Sequence, residues 1–225
     1  MKVDETEVSN KDILYIQNAV KNREQMVFNC YTLTPAQKNK FLQILKVFLD
    51  ECKQDYLYNC LSYCLLELLD NASKANAKRI YFQENNLDIN NPEDYKNGMI
   101  HFKADLSDNS KHFMEELEAG KLQVNLLLSV DNVICVQVLN NTQITEAEFK
   151  RINDKIEKTQ KYESLQDAFC DIDQTEGSGL GIISIILMLK KLGLDTKSLN
   201  FSASDGETVA TIKIPVDSFF KIEEI

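Results

Sequence analysis

Glycine is scarce in this chain, with seven in 225 residues, and histidine is scarcer, with two, His101 and His112. No run reaches the 18 or so apolar residues that a bilayer-spanning helix needs, so no membrane insertion is expected. The first ten residues, Met1 to Asn10, are acidic and polar, which excludes a secretory leader. Basic residues are in the minority, 25 Lys and Arg against 35 Asp and Glu, for a formal net charge of −10. Without a broad basic face the chain is not expected to bind nucleic acid through its phosphates, nor to dock on an anionic membrane. A cytoplasmic location follows. The six cysteines contain no Cys-x-x-Cys pair. Cys60 and Cys64 share a helix face, but two histidines supply no Cys/His set at zinc spacing. Most of the cysteines sit inside apolar runs and read as small buried hydrophobes of a reducing compartment.

What is present is an ordinary globular balance, 44% hydrophobic and 27% charged. A chain of this size can bury a core without disulfide or metal staples. Residues 11–29 read as a helix, with Ile13, Ile16 and Val20 on one face. Thr34-Pro35 starts a second helix running to about Cys52, and a third covers about 56–75. Lys78 to Phe82 reads as a strand. Residues 84–119, polar and acidic, read as an insertion with a short helix at 110–118. Two strands, about 121–130 and 133–140, form a hairpin at Asp131-Asn132. Residues 145–172 suggest two weakly amphipathic helices, and an apolar helix spans Ile182 to Leu192. A last hairpin joins Leu199–Ser204 to Glu207–Pro215 through Asp205-Gly206. Helices and strands in blocks predict an α+β, two-layer sandwich: a mixed, mostly antiparallel sheet with helices on one face.

Two segments carry chemistry. On the third helix Glu67, Asn71 and Lys74 fall on a stripe about 60° wide. An amide oxygen is a hard ligand for Mg²⁺, a carboxylate can take a proton from water, and an ammonium can face phosphate oxygens. Taken alone, the stripe is equally a solvated helix face. The second segment is Glu176-Gly177-Ser178-Gly179-Leu180-Gly181, which opens the apolar helix. Glycines there let backbone N–H groups converge on an anion, and the helix adds its positive end. A dinucleotide fingerprint would need glycine where Ile182 stands; a Walker loop would need Gly-Lys-Ser/Thr; the protein-kinase motifs are missing.

Glu67-x-x-x-Asn71-Ala-x-Lys74, followed about a hundred residues later by Gly177-x-Gly179-Leu180-Gly181, resembles the ATP-binding domain shared by gyrase, Hsp90, histidine kinases and MutL, the GHKL or Bergerat fold. Asn-Ala-x-Lys looks most like the histidine-kinase branch. The resemblance spans about residues 55–215. It implies an N-terminal helical extension over 1–55, an ATP-binding domain over 56–216, a lid over about 145–176 and a tail over 217–225. It further implies ATP and Mg²⁺ as cofactors, with Asn71 as the metal ligand and Glu67 as the catalytic base. Lys74, Gly177, Ser178, Gly179, Leu180 and Gly181 would hold phosphates.

The family's adenine box, Asp-x-Gly-x-Gly after a strand, aligns with Asn140-Asn141-Thr142-Gln143-Ile144, so Asn140 stands at the aspartate and Thr142 at the first glycine. Thr208 matches the threonine of the last strand. An asparagine accepts without charge and can also donate to a guanine carbonyl, so relaxed purine selectivity is expected. Histidine kinases carry their own phosphoacceptor histidine on a helical hairpin; residues 1–55 contain none. The expected function is therefore an ATP-binding, histidine-kinase-like signalling module whose acceptor lies on a protein partner, with a homodimer through the N-terminal helices as one assembly. The alternatives are a slow ATPase switch and a degenerate, non-catalytic interaction module.

Overall fold

The computed structural model describes residues 7–169 and 180–216. The chain opens with helix α1 (Asn10–Asn22), set by a reciprocal cap: the Ser9 hydroxyl accepts from the Asp12 N–H, and the Asp12 carboxylate accepts from the Ser9 N–H. Arg23, at φ 58°, turns the backbone left-handed and stops the helix. Strand β1 (Met26–Cys30) follows, where a continuous helix is expected over 11–29. Its alternation of buried Met26, Phe28 and Cys30 with half-buried Val27 and Asn29 is a strand pattern. The same kind of reciprocal cap, Thr34 with Gln37, starts α2 (Pro35–Glu51).

Helix α3 (Tyr58–Glu84) is 27 residues long and runs through the segment whose composition suggests a strand. The reason lies in its packing. Ala77, Ile80, Tyr81 and Phe82 are all buried, against Phe102 of α4 (Pro92–Asp108) and Phe113 and Leu117 of α5 (Ser110–Ala119). A short apolar run buried on every side has no period that separates helix from strand. The region expected as an insertion is thus two helices with their own small core on the end of α3.

The hairpin β2 (Val124–Val130) and β3 (Val133–Asn140) turns where expected. Helices α6 (Glu146–Thr159), α7 (Leu165–Phe169) and α8 (Leu180–Lys191) lead to the final hairpin, β4 (Leu199–Ser204) and β5 (Glu207–Pro215). Asp205 and Gly206 both take positive φ, 53° and 83°, the geometry that closes a two-residue hairpin.

The sheet order is β1-β2-β3-β5-β4. Every pairing is antiparallel, so the mixed sheet is corrected to an antiparallel one. One row across the core face reads Phe28, Leu126, Val138, Ala210 and Phe201. These side chains join Phe41, Ile44, Leu45 and Phe48 of α2, the buried face of α3, and Ile185, Ile186 and Leu189 of α8 in one core. The architecture is α+β, helices against an antiparallel sheet. The first 55 residues contribute an edge strand and two helices to that same core, not helices alone.

Candidate functional site

Helix α3 organises the site. Glu67 is half-buried, and Asn71 and Lys74, one and two turns on, are exposed. Lys74 makes no ion pair among the described residues. The α8 helix meets this stripe at its N-terminal turn. A Cβ added to Gly181 would collide with Glu67 Oε2, with Glu67 Cδ at 3.5 Å and Asn71 Nδ2 at 3.9 Å. What leaves no room for a Cβ at 181 is the Glu67 side chain as it stands, not a left-handed backbone. Gly181, the last residue of the glycine segment, is therefore adjacent to the stripe of α3, and the Glu67 carboxylate lies at the first described turn of α8. Leu180, half-buried, begins that turn. Gly177, Ser178 and Gly179 lie outside the described residues.

A second polar group sits further along α3, on the core face of the sheet. The row Cys30, Val124, Asn140, Thr208 and Ala203 crosses all five strands near one end. Asn140 and Thr208 are buried there, and Thr142 is half-buried. Asn140 Nδ2 donates to Thr142 Oγ1 at 2.7 Å, to the Thr142 carbonyl at 3.2 Å and to Asn76 Oδ1 at 3.2 Å. The Thr142 hydroxyl donates to Asn76 Oδ1 at 2.8 Å, and Asn76 Nδ2 to the Gln123 carbonyl at 3.2 Å. The Thr208 hydroxyl donates to the Thr142 carbonyl at 2.7 Å and accepts from the Ile144 N–H at 2.9 Å. The turn after β3 is thus preorganised by side chains from α3 and β5.

The same turn is fastened from outside. Arg79 donates to the Gln143 carbonyl at 3.0 Å and pairs with Glu148 at 2.7 Å; Lys78 reaches the other Glu148 oxygen at 2.7 Å. Burial pushes the Glu148 pKa up, but Lys78 and Arg79 outweigh it and hold the carboxyl at about 2. Glu148 also caps α6 with Thr145. Lys78 donates to the Tyr95 hydroxyl of α4 at 3.1 Å, which ties the helical addition to α6.

Asn76, Lys78, Arg79 and Glu148 escape a reading of residue types. Asn76 is wholly buried between two alanines on α3, and its only sequence signal is an amide in an otherwise small, apolar stretch. Glu148 is signalled by Thr145-x-x-Glu148, a capping box whose second task is invisible locally. From Asn71 to Asn76 is five residues, about 7.5 Å of helix rise. One helix therefore carries both the carboxylate–amide–ammonium stripe and the anchor of the Asn140 network.

The two histidines, His101 and His112, are exposed on the added helices. His112 Nε2 pairs with Glu84 at 2.8 Å, and Glu116 lies beside them. Among the described residues no helix is long and apolar enough to cross a membrane.

An uncharacterized protein of Treponema pallidum (strain Nichols) is 36% identical over 202 residues, which is 89% of this chain and 39% of that protein. The chain therefore spans about two fifths of the length of this relative. No family model matches the chain, and no solved structure does.

Proposed function

We propose that the chain is a nucleotide-binding module of Bergerat type that takes ATP with Mg²⁺, and that it serves as a histidine-kinase-like signalling component whose phosphoacceptor lies on another protein. The observation that carries this reading is the contact of Gly181, at the start of α8, with Glu67 and Asn71 of α3. It brings an amide and a carboxylate to the first described turn of α8, with the Lys74 ammonium, which makes no ion pair among the described residues, one turn away.

The residues fit the cofactor chemically. Mg²⁺ binds through few protein oxygens, several waters and the substrate's own phosphates, which is what one exposed amide beside a carboxylate supplies. Asn71 would hold the metal. Lys74 would balance phosphate charge, and the backbone N–H groups opening α8 would cradle the phosphate oxygens. The base would lie toward Asn140, Thr142 and Thr208. The partner that carries the acceptor, or a second copy meeting this one through α1 and α2, completes the scheme.

Titration with MgATP followed by thermal shift tests the reading. A saturable rise in Tm that Asn71→Ala abolishes is expected. No rise at millimolar MgATP would remove it and leave a protein-interaction module. A second reading, a slow ATPase switch, is favoured by the half-buried Glu67 carboxylate beside Gly181. In that case Glu67→Ala binds MgATP but releases no phosphate.

A further inference from the structure

Helix α5 carries His112 and Glu116 one turn apart, and α3 ends at Glu84. Residues four apart lie on one face of a helix, so these two side chains of α5 are neighbours. Phe113 and Leu117, each the next residue after one of the pair, share a buried cluster with Tyr81 and Phe82 of α3. Apolar packing thus holds the backbones that carry Glu84, His112 and Glu116 against one another, without help from the polar groups.

His112 Nε2 lies 2.8 Å from Glu84 Oε1, and one ligand atom from each of the three residues falls within 4.8 Å of the others. Ligands about 2.1 Å from a tetrahedral ion stand about 3.4 Å apart, so small side-chain rotations would bring all three onto one ion. Among the described residues neither Glu84 nor Glu116 pairs with a lysine or arginine; Lys111 takes Glu115 instead, at 3.8 Å. Two carboxylates converge with only an imidazole between them, a charge that a cation would balance. The imidazole selects the class of cation. Magnesium and calcium favour oxygen, whereas a nitrogen beside carboxylates suits zinc and its first-row neighbours.

We propose that Glu84, His112 and Glu116 bind a divalent transition-metal ion of the zinc class, which pins α5 to the end of α3. The His112 and Glu84 side chains are 49% and 38% exposed, so the ion enters from solvent and water completes its shell. The site does not rest on the nucleotide-binding reading. Asn71 lies thirteen residues back along α3, about 20 Å of helix rise away.

Zinc chloride titrated into the full chain, followed by calorimetry and by the imidazole resonances of the two histidines, tests the site. One site of micromolar affinity is expected, with a shift in the resonance that is missing from His112→Ala. His112→Ala, Glu84→Gln and Glu116→Gln are each expected to weaken binding at least about tenfold, and His101→Ala to leave it unchanged. The substituted side chains are all exposed, and melts without zinc check that the variants fold. Zinc binding of unchanged strength in His112→Ala would place the ion on cysteines and overturn the inference. Binding that is lost in His112→Ala but unchanged in both glutamine variants would reduce the site to a lone histidine and overturn it too. So would the absence of binding at millimolar zinc.

Discussion

Gly181 stands so close to Glu67 that a methyl group at 181 would occupy the space of the Glu67 carboxylate oxygen. The obstructing atom is the far end of a flexible, half-buried side chain, so the collision is relieved by swinging the carboxylate aside rather than by moving a helix. Gly181→Ala is therefore expected to leave stability unchanged or to raise it by up to about 1 kcal/mol, the helix preference of alanine over glycine. Glu67 would be displaced, and the MgATP-induced rise in Tm, or phosphate release, would fall. Melts with and without MgATP separate the two effects. A large loss of Tm with the nucleotide response intact would show that the approach of α3 to α8 is structural only.

Gly98 gives the opposite outcome from the same kind of crowding. A Cβ there would lie 2.7 Å from Phe82 Cζ and 3.1 Å from Leu87 Cδ1. Phe82 is 2% exposed and locked among Tyr81, Phe102 and Tyr95, so nothing yields cheaply. Gly98→Ala is expected to cost about 1–3 kcal/mol by overpacking, even after the gain in helix preference. Urea denaturation measures it. A variant as stable as the wild type would mean that α4 is not held against α3 as described.

Glu148 sets an acid limit. Its carboxyl is held at about 2 against an ordinary 4.5. A carboxylate whose pKa is depressed in the folded state contributes stability that is complete above the unfolded value and is lost as pH falls through the folded one. The window here runs from about 4.5 down to about 2. Glu148→Gln at neutral pH leaves Lys78 and Arg79 half-buried without their counter-ion, and a cost on the order of 3 kcal/mol is expected. The gap between variant and wild type should close as pH drops through that window. Parallel melts from pH 7 to pH 2 check it, and a gap independent of pH would remove the ion pair as its source.

Much of the fold was legible because it is specified by short-range chemistry. Thr34-Pro35, Asp131-Asn132 and Asp205-Gly206 act on their immediate neighbours, and the helix and the two hairpins they begin or turn lie where they point. Met26–Cys30 and Lys78–Phe82 depart from the expected elements for one shared reason. Five residues cannot reveal their period, and the partner that decides between helix and strand, β2 in one case and α4 with α5 in the other, is distant in sequence. The site divides in the same way. Glu67, Asn71 and Lys74 are a helical stripe and can be read from spacing. Asn76 matters only because Gln123 and Asn140, 47 and 64 positions away, close around it.

Asn140→Asp would bring the chain closer to the GHKL pattern it resembles, yet it is expected to weaken the fold. A carboxylate has no N–H, and at 140 it would face Asn76 Oδ1 and the Thr142 carbonyl, both now receiving from the amide at 3.2 Å. The Thr142 hydroxyl can turn to donate to the new carboxylate, but it then abandons Asn76 Oδ1. If Asn76 reverses instead, the Gln123 carbonyl keeps only the longer bond from the Asn141 N–H, at 3.4 Å. Each rearrangement takes a hydrogen bond from an acceptor that now has it, a cost of about 1–3 kcal/mol. Protonation would restore a donor, so the carboxyl at 140 should have a raised pKa in the folded state. Its deficit against wild type should then be full at neutral pH and shrink as pH falls through that raised value. Denaturation of both proteins at pH 7 and pH 5 measures the change. Equal stability at pH 7 would mean that the Asn76 amide is free to turn, and the orientation of Asn140 would lose its anchor.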